Sequence, residues 1–508
     1  MRNILSYRRQ FIIAREHLDE LGHWQYRKLG NVYVYTHPDL EVTEHVNHDL
    51  NIILLGYMFD YERPENTNKD IISNIARNIN TYRDFIIAIK PYAGRFALIY
   101  RDDYNFKILH DPLAQREIYY CTQQNKIICG SQPNFIVELS EPKLGITSDN
   151  DIINYYKNDM KAVRFGRAWV GHETYYNNVR HLMPGNALDL ELLKPEVYWP
   201  NRRLDNIDLD KAVNLSCKYL QGVMRAVTQR YDAMMAVTAG IDSRSLLAAS
   251  RHVHNKIYYF INKRPPLNDN SADIRIPRSI LSSLNIPFHV HSVPEYVDSK
   301  FKEIFLKNTF MSTDILLPVI YNVYYKQHQN KLNILGVGEI GRGLYGRPPR
   351  ELTGYYLANK LKYKNCPYVV KQCDEWLQNN KTIAEEYNVD IMTLFLIWGL
   401  SANWGAVGNS ESDIAIEEFN PYNSYYMYEL MLSVAWEHRA IPNKRGIPEY
   451  YERMFKVMWK ELLDYPFNPP DTLKEKIKNS LERMGLLQYL KLGRYKYDLW
   501  KYRTKQKQ

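Results

Sequence analysis

The first two hundred residues contain short apolar runs bounded by Gly, Asn or Asp. Runs of this kind predict β-strands. The predicted strands are residues 30–35, 50–57, 93–100, 107–111 and 118–121. Apolar side chains recur at helical spacing over residues 70–79, which predicts a helix between the second and third strands. This pattern predicts a layered α/β sandwich of antiparallel strands for the first part of the chain.

Beyond residue 207 the spacing of apolar residues changes. Apolar positions at helical intervals predict a helix over residues 208–229. Continuous apolar runs then predict buried strands at residues 233–237, 256–262 and 286–291, with a helix that opens at residue 271. The order strand, helix, strand, helix, strand is typical of a doubly wound parallel sheet.

The size of the chain predicts two domains, because 508 residues exceed what one ordinary core holds. A polar, proline-containing stretch at residues 197–203 marks the boundary between them. We therefore predict an N-terminal domain over residues 1–200, a second domain over residues 201–470 and a C-terminal tail over residues 471–508.

The predicted tail carries most of the net charge of +9. From Lys474 onward, eleven Lys and Arg residues stand against three acidic residues, and Tyr and Trp residues lie among them. Basic and aromatic residues together are typical of contact with nucleic acid or another anionic partner. The alternative is a solvated basic helix without a partner.

Cysteine usage and hydropathy bear on the cellular compartment. The five cysteines are dispersed and form neither a Cys-x-x-Cys pair nor a zinc-binding pattern, so we expect free thiols in a reducing cytoplasm. The first residues lack the apolar core of a signal peptide. Apolar runs such as residues 52–59 are too short to span a membrane. We therefore expect a cytoplasmic protein without a membrane span.

Residues 233–249 combine a buried strand, a turn of small residues and a helix N-terminus. Such a turn lets backbone N–H groups approach an anion, and the helix dipole favours the negative charge. Thr238 and Ser243 add hydroxyl donors, and Asp242 is a residue type that holds a divalent metal against phosphate oxygens. The alternative is an ordinary turn between a strand and a helix. We expect Asp242 and Ser243 to be reached by solvent.

The sequence Thr238-Ala239-Gly240-Ile241-Asp242-Ser243 resembles the Ser-Gly-Gly-x-Asp-Ser pyrophosphate loop of the asparagine-synthetase group of ATP pyrophosphatases. Further segments resemble the same synthetase domain in chain order. Asp273 stands at its acidic position after the second strand, residues 333–346 resemble its Ser-Gly-Glu-Gly-Ala-Asp-Glu loop, and residues 417–424 resemble its Glu-x-Arg-x-Pro-Phe-Leu-Asp segment. The resemblance implies a parallel sheet of the PP-loop ATP pyrophosphatase type with added helices.

The same resemblance implies roles for individual residues. The residues expected to bind ATP and pyrophosphate are Thr238, Ala239, Gly240, Asp242, Ser243, Gly338 and Asp273. Glu339 falls on the first acid of the glycine-rich loop and is expected to position the nucleophile or a metal. Arg342 falls on a magnesium-binding acid and is expected to supply positive charge beside the phosphates. The alternative is a structural Arg342 that pairs with Asp242 or Glu339.

Residues 93–97 and 111–120 resemble the class II glutamine-amidotransferase domain that precedes the synthetase domain in asparagine synthetases. The resemblance implies an αββα sandwich of the N-terminal-nucleophile (Ntn) type. That family hydrolyses glutamine with a cysteine at the mature N-terminus. Here Arg2 stands at position 2, and the earliest cysteine is Cys121. We therefore expect this domain to be inactive as a glutaminase.

As a whole, the resemblance implies an ATP-dependent ligase that activates a small-molecule or peptide carboxylate as an acyl-adenylate and forms an amide with ammonia or an amine. Mg²⁺ is expected to neutralise the phosphates. One alternative is an intramolecular amide cyclase, as in the β-lactam synthetases and lasso-peptide cyclases, which also have inactive N-terminal domains. The other is a non-catalytic or nucleotide-sensing relative, because the loop Asp, the late Lys and an Asp-x-x-Arg pair of the family are replaced here.

Overall fold

The computed structural model of the chain describes residues 2–160, 169–363 and 365–469, together with residues 493, 495–497, 499, 500 and 504. Within these residues the strands form two six-stranded antiparallel sheets and one five-stranded parallel sheet. The prediction of a mixed α/β fold is confirmed. The predicted basic tail lies largely outside the described residues, so its contact with an anionic partner stays a prediction.

The first half of the chain forms the two antiparallel sheets. Sheet A has the strand order β10-β8-β9-β1-β3-β2, and sheet B has the order β12-β11-β7-β6-β5-β4. The strands are β1 (Phe11–Ala14), β2 (Gln25–Leu29), β3 (Val32–Thr36), β4 (Val42–Val46), β5 (Asn51–Phe59), β6 (Ala93–Arg101), β7 (Phe106–His110), β8 (Tyr119–Cys121), β9 (Ile127–Gly130), β10 (Val179–His181), β11 (Asn186–Asp189) and β12 (Lys194–Val197).

Helices cover the outer faces of the two sheets. The helices of the first half are α1 (Arg2–Leu5), α2 (Asn68–Arg77), α3 (Tyr82–Ile89), α4 (Pro133–Leu139) and α5 (Asn150–Asn154). In β5, Ile53 packs against sheet A, whereas its neighbour Ile52 belongs to the core that contains α2 and α3. Helix α4 packs on the other side of sheet A through Phe135, which shares a cluster with Ile12 of β1. Because alternate strand residues face opposite sides, these contacts define four layers in the order helix, sheet, sheet, helix.

The second half is built on the parallel sheet, sheet C. Its strands are β13 (Ala233–Ala236), β14 (Ile257–Lys263), β15 (His289–Ser292), β16 (Leu332–Ile334) and β17 (Glu417–Phe419). They lie in the order β15-β14-β13-β16-β17, so the order reverses between β13 and β16. Open α/β sheets bind ligands at such a reversal, in the crevice beyond the carboxyl ends of the strands.

The remaining described helices belong to the second half of the chain. They are α6 (Leu209–Arg230), α7 (Ile241–Ala249), α8 (Ala272–Ser283), α9 (Ser299–Asn308), α10 (Leu317–Val319), α11 (Gly354–Lys360), α12 (Pro367–Glu386), α13 (Ile391–Leu396), α14 (Ala406–Ser412), α15 (Tyr425–Leu432), α16 (Trp436–Ala440) and α17 (Glu449–Met458). Helices α13 and α14 are joined by π-helical turns at Ile397–Gly405.

The stretch that contains α13 and α14, Ile391–Ser412, has the length and apolar composition of a membrane-spanning helix. The expectation of no membrane span relied on runs such as residues 52–59 and missed this stretch. Of its apolar window, 67% is buried inside the structure, which is also typical of the core helix of a folded protein. The cytoplasmic location stays a prediction.

The two halves share an apolar core. Phe59 of β5 packs against Phe419 of β17, with ring centroids 4.7 Å apart. The same cluster extends from Ile52 to Phe467 and includes residues on both sides of residue 200. The predicted domain boundaries at residues 200 and 470 therefore stay a prediction.

A buried ion cluster also joins the two halves. Arg95 of β6 donates to both carboxylate oxygens of Asp413, over 2.5 and 2.8 Å, and to Oε2 of Glu417 over 3.0 Å. Arg116 donates to both oxygens of Glu417 over 3.1 and 3.2 Å. Burial alone would raise the pKa of Glu417, but Arg116, Arg95 and Arg9 hold it at about 2. Arginines of the first half thus keep Glu417 ionised, whereas at Asp413 burial outweighs the same arginines and raises the pKa of the carboxyl.

Candidate functional site

The turn at residues 238–243 joins β13 to α7 at the reversal of sheet C. Gly240 precedes α7 as its N-cap. The Thr238 N–H donates to Ser243 Oγ over 3.1 Å, and the Gly240 N–H donates to Thr238 Oγ1 over 3.1 Å. The two hydroxyl oxygens lie 2.9 Å apart. The hydroxyls therefore hold the turn in shape at the N-terminus of α7.

Two other segments form hydrogen bonds with the backbone of the turn. Asp273 in the first turn of α8 accepts a 3.0 Å hydrogen bond at Oδ1 from the Ala239 N–H. The Ala239 carbonyl accepts a 3.1 Å hydrogen bond from the Asn468 N–H. The turn is thus fixed between the segment after β14 and the chain near residue 468.

The glycine-rich loop after β16 packs directly on the turn. A Cβ atom at Gly336 would lie 2.9 Å from Ser243 Cα, and one at Gly338 would lie 2.9 Å from Asp242 Oδ1. A side chain at Gly336 would clash with backbone, so glycine is required there for the loop to approach; a side chain at Gly338 would have to displace the Asp242 carboxylate. The loop continues into a single 3-10 turn, Glu339–Arg342.

Arg342 reaches back from this loop to the turn. Its Nη2 donates to Asp242 Oδ2 over 2.5 Å, and the two side chains are 23% and 12% exposed. Burial raises the pKa of the Asp242 carboxyl, and Arg342 opposes that shift. Burial and the nearby Asp242 raise the pKa of Glu339. The site therefore contains two interacting carboxylates and one guanidinium.

The residues named from the sequence all lie at this crevice, but one expectation about them is wrong. Asp242 and Ser243 are only 9% and 7% exposed, so they are buried rather than reached by solvent. The reason is that the glycine-rich loop covers the N-terminal turn of α7. Arg342 pairs with Asp242, which is the contact expected if the arginine has a structural role.

Arg244, which directly follows the predicted motif, is a contact that sequence reasoning missed. Its guanidinium is fully buried, donates to the Pro466 carbonyl over 2.8 Å and to the Leu462 carbonyl, and lies 3.6 Å from the centre of the Phe467 ring. Burial lowers its pKa to about 9. Arg244 thereby fixes the segment that brings Asn468 to the turn. The sequence feature that could have indicated this contact is a single arginine within α7, whose other residues are mostly small or apolar.

The first half offers no accessible thiol among its described residues. Cys121 is 1% exposed, and burial raises its pKa to about 12. The segment next to α1 is bound to the second half instead: the Tyr7 N–H donates to Asn308 Oδ1 over 2.7 Å, and Asn308 Nδ2 donates to the Leu5 carbonyl over 2.7 Å. Buried protonated thiols are poor nucleophiles.

No protein-family model matches the sequence, and no curated protein matches it. Among solved structures, the chain is similar to glutamine phosphoribosylpyrophosphate amidotransferase from B. subtilis complexed with ADP and GMP, with 9% identity over 71% of this chain and 75% of that chain and a TM-score of 0.24. It is also similar to a structure of the allosteric regulatory enzyme of purine biosynthesis, with 10% identity over 58% of this chain and 64% of that chain and a TM-score of 0.24. TM-scores this low carry no argument about fold or function.

The chemistry available at the crevice follows from its residues alone. It combines a helix N-terminus, two hydroxyls, two carboxylates and an arginine at the reversal of a parallel sheet. Backbone N–H groups and the helix dipole favour an anion there. The carboxylates and the arginine add groups that bind metal ions or phosphate oxygens.

Proposed function

We propose that the chain is an ATP-dependent ligase that activates a carboxylate as an acyl-adenylate and forms an amide with ammonia or an amine. The observation that carries this proposal is the placement of the 238–243 turn at the reversal of sheet C, directly against the glycine-rich loop. This is the place where open α/β sheets bind nucleotides. The resemblance of both segments to asparagine synthetases supplies the reaction class.

In this proposal the α- and β-phosphates of ATP lie at the N-terminus of α7. The helix dipole and the hydroxyls of Thr238 and Ser243 stabilise charge that develops on the leaving pyrophosphate. Arg342 adds a planar guanidinium, which is suited to bidentate contact with phosphate. It lies beside the turn already, held there by Asp242.

The residues present fit a magnesium ion. Mg²⁺ is usually held by one or two carboxylates and completes its coordination with substrate phosphates. Asp242 is close enough to Glu339 to raise the pKa of the Glu339 carboxyl. These two residues would hold the ion. When bound, the ion neutralises phosphate charge. Within the described residues, no group of three or more His, Cys, Asp or Glu side chains is arranged to hold a metal without a substrate.

The nitrogen donor in this proposal is free ammonia or an amine, which includes an amine of the substrate itself. The reason is that Cys121, the earliest cysteine in the sequence, is buried. The sandwich of the first half then acts as a scaffold for the second half, through the ion cluster of Arg95 and Asp413.

A non-catalytic, nucleotide-sensing protein is the second candidate function. The observation that favours it is the Asp242–Arg342 ion pair, which engages the predicted metal ligand with a cation of the chain itself. A sensor of this kind binds nucleotide without turnover.

ATP–pyrophosphate exchange tests the proposal. The purified chain is incubated with ATP, Mg²⁺, labelled pyrophosphate and a panel of small-molecule and peptide carboxylates. We expect label to enter ATP only when the correct acid is present. ATP binding without exchange for any acid would favour the sensor, and absence of both binding and exchange would overturn the assignment of the turn.

A further inference from the structure

A second concave site lies away from the 238–243 turn, where the two halves of the chain meet. It is a groove of about 930 Å³. Its walls come from α3 and residues 90–91, from the connection at residues 197–202, from the end of α12 and from α15. Its volume lies within the range of small-molecule pockets. It shares no lining residue with the turn or the glycine-rich loop, so it does not depend on the proposed function.

The polar end of the groove carries an excess of positive charge. Glu429 is buried and accepts hydrogen bonds from Lys90 Nζ over 2.7 Å, from Arg202 Nε over 2.7 Å and from Trp199 Nε1 over 3.2 Å. The charged residues that line the whole groove are the cations Arg83, Lys90 and Arg202 and the carboxylates Glu386 and Glu429, which leaves one positive charge in excess. Arg202 Nη2 also lies 2.7 Å from Glu429 Oε2, and the Arg202 side chain is 63% exposed, so the part of the guanidinium that faces away from Glu429 is open to a ligand. An anionic head group complements this end of the groove.

The rest of the groove is apolar and partly open to solvent. Ile87 and Val197, which line it, are 55% and 53% exposed although they are large hydrophobic residues. The rings of Tyr82, Tyr387 and Tyr426 form further parts of the wall. The Tyr82 hydroxyl is buried and has no hydrogen-bond partner among the described residues. An apolar body placed here removes exposed hydrophobic surface from water.

From these observations we infer that the groove binds a small carboxylic acid with an apolar alkyl or aromatic body. The carboxylate lies against Lys90 and Arg202, and the body lies along Ile87, Val197 and the tyrosine rings. Because the lining comes from both halves of the chain, the bound acid contacts both of them.

The experiment uses the full chain and a fluorescent apolar anion, 8-anilinonaphthalene-1-sulfonate, which decanoate or 1-decanol then displaces. We expect one probe per chain and displacement by decanoate at concentrations at least tenfold lower than by 1-decanol, because only the acid makes the charge-assisted contact. Equal displacement by the alcohol and the acid would overturn the inference.

Two substitutions locate the site. Ile87→Asp places a like charge in the groove and should weaken probe binding at least tenfold, whereas Leu192→Asp, at a 66% exposed position outside it, should leave binding unchanged. Arg202→Gln should weaken decanoate but not 1-decanol. Unchanged binding in Ile87→Asp, or an equal loss in Leu192→Asp, would show that the probe binds elsewhere. Circular dichroism confirms that each variant is folded.

Discussion

Arg342 Nη2 lies 2.5 Å from Asp242 Oδ2, although the two residues are 100 positions apart in the chain. The contact joins the glycine-rich loop to the first turn of α7 and places the guanidinium beside the predicted phosphate position. Two roles are compatible with this geometry. The arginine either stabilises charge on the phosphates during turnover, or it only holds the loop in place.

Replacement of Arg342 separates these two roles. We expect Arg342→Ala to lower ATP–pyrophosphate exchange by roughly 30- to 1000-fold, because loss of a charged contact made mainly in the transition state costs about 2–4 kcal/mol. The melting temperature should fall only slightly, so that the variant stays folded under the assay conditions. Arg347→Ala, in an exposed part of the same loop, is the matched control. An unchanged exchange rate in Arg342→Ala would assign the residue a structural role. A loss of exchange that the smaller folded fraction fully explains would do the same.

Asp242→Asn and Ser243→Ala test the turn itself. Both substitutions nearly preserve side-chain volume at buried positions, so we expect folded proteins with nucleotide turnover reduced about 100-fold or more. Asp242→Asn should also lower the melting temperature, since it leaves Arg342 without its carboxylate partner. Exchange kinetics and thermal unfolding measure the two effects. Full ATP-dependent activity in Asp242→Asn would remove the assignment of the pyrophosphate turn.

Glutamine hydrolysis provides a separate test of the first half. We expect no release of glutamate from glutamine, and Cys121→Ser should change nothing, because burial raises the pKa of this thiol to about 12. An enzyme-coupled glutamate assay with and without ATP measures this. Glutamate release that Cys121→Ser abolishes would contradict our interpretation of Arg2 and Cys121.

The ion cluster between the halves should contribute strongly to stability. Arg95→Met removes the charge and leaves Asp413 buried without its bidentate partner, for which we expect a loss of about 3–5 kcal/mol in the free energy of unfolding. Arg27→Met breaks a partly exposed pair with Glu44 and should cost less than about 1 kcal/mol. Urea unfolding measures both. Similar losses in the two variants would show that the buried cluster contributes no more to the free energy of unfolding than an exposed ion pair does.

Glu117 predicts a pH dependence of stability. Its buried carboxyl accepts hydrogen bonds from Tyr119, Gln132 and Ser410, yet burial raises its pKa from 4.5 to about 7. The folded state therefore binds more protons than the unfolded state between these values, so stability falls as pH rises from about 4.5 to 7. The fall due to this group is on the order of 3 kcal/mol.

Comparison of variants isolates this contribution. Glu117→Gln should flatten the dependence of unfolding free energy on pH between 5 and 8, whereas Glu62→Gln, at an exposed position, should not. Urea titrations at several pH values give the slopes. A slope in Glu117→Gln equal to that of the unchanged chain would show that Glu117 stays ionised in the folded protein.

Part of the fold was predictable from local pattern. The apolar run at residues 233–237 and the small residues after it gave β13 and the start of α7 in the expected places. The strand predicted from residue 286 begins only at His289, because Pro287 has no N–H to donate to a sheet. Local pattern thus located β3, β5 to β8 and β13 to β15, but it did not predict β1, β2, β4 or β9 to β12.

The contacts of the site were less predictable. The pairing of Arg342 with Asp242 depends on how closely Gly336 and Gly338 bring the loop to the turn, which spacing along the chain does not give. Burial of Arg244 against Leu462 and Pro466 depends on a segment more than two hundred residues away. Long-range packing of this kind requires the three-dimensional structure.

The separation of Arg95 from Asp413 has a consequence for synthesis of the chain. The two residues are 318 positions apart, so the arginine leaves the ribosome well before its carboxylate partner exists. At 5–20 residues per second the delay is roughly 15–65 s. During that time the first half carries an uncompensated guanidinium and an uncovered apolar face that Phe419 later occupies. The nascent sandwich therefore completes this part of its core only when the last strand of sheet C arrives.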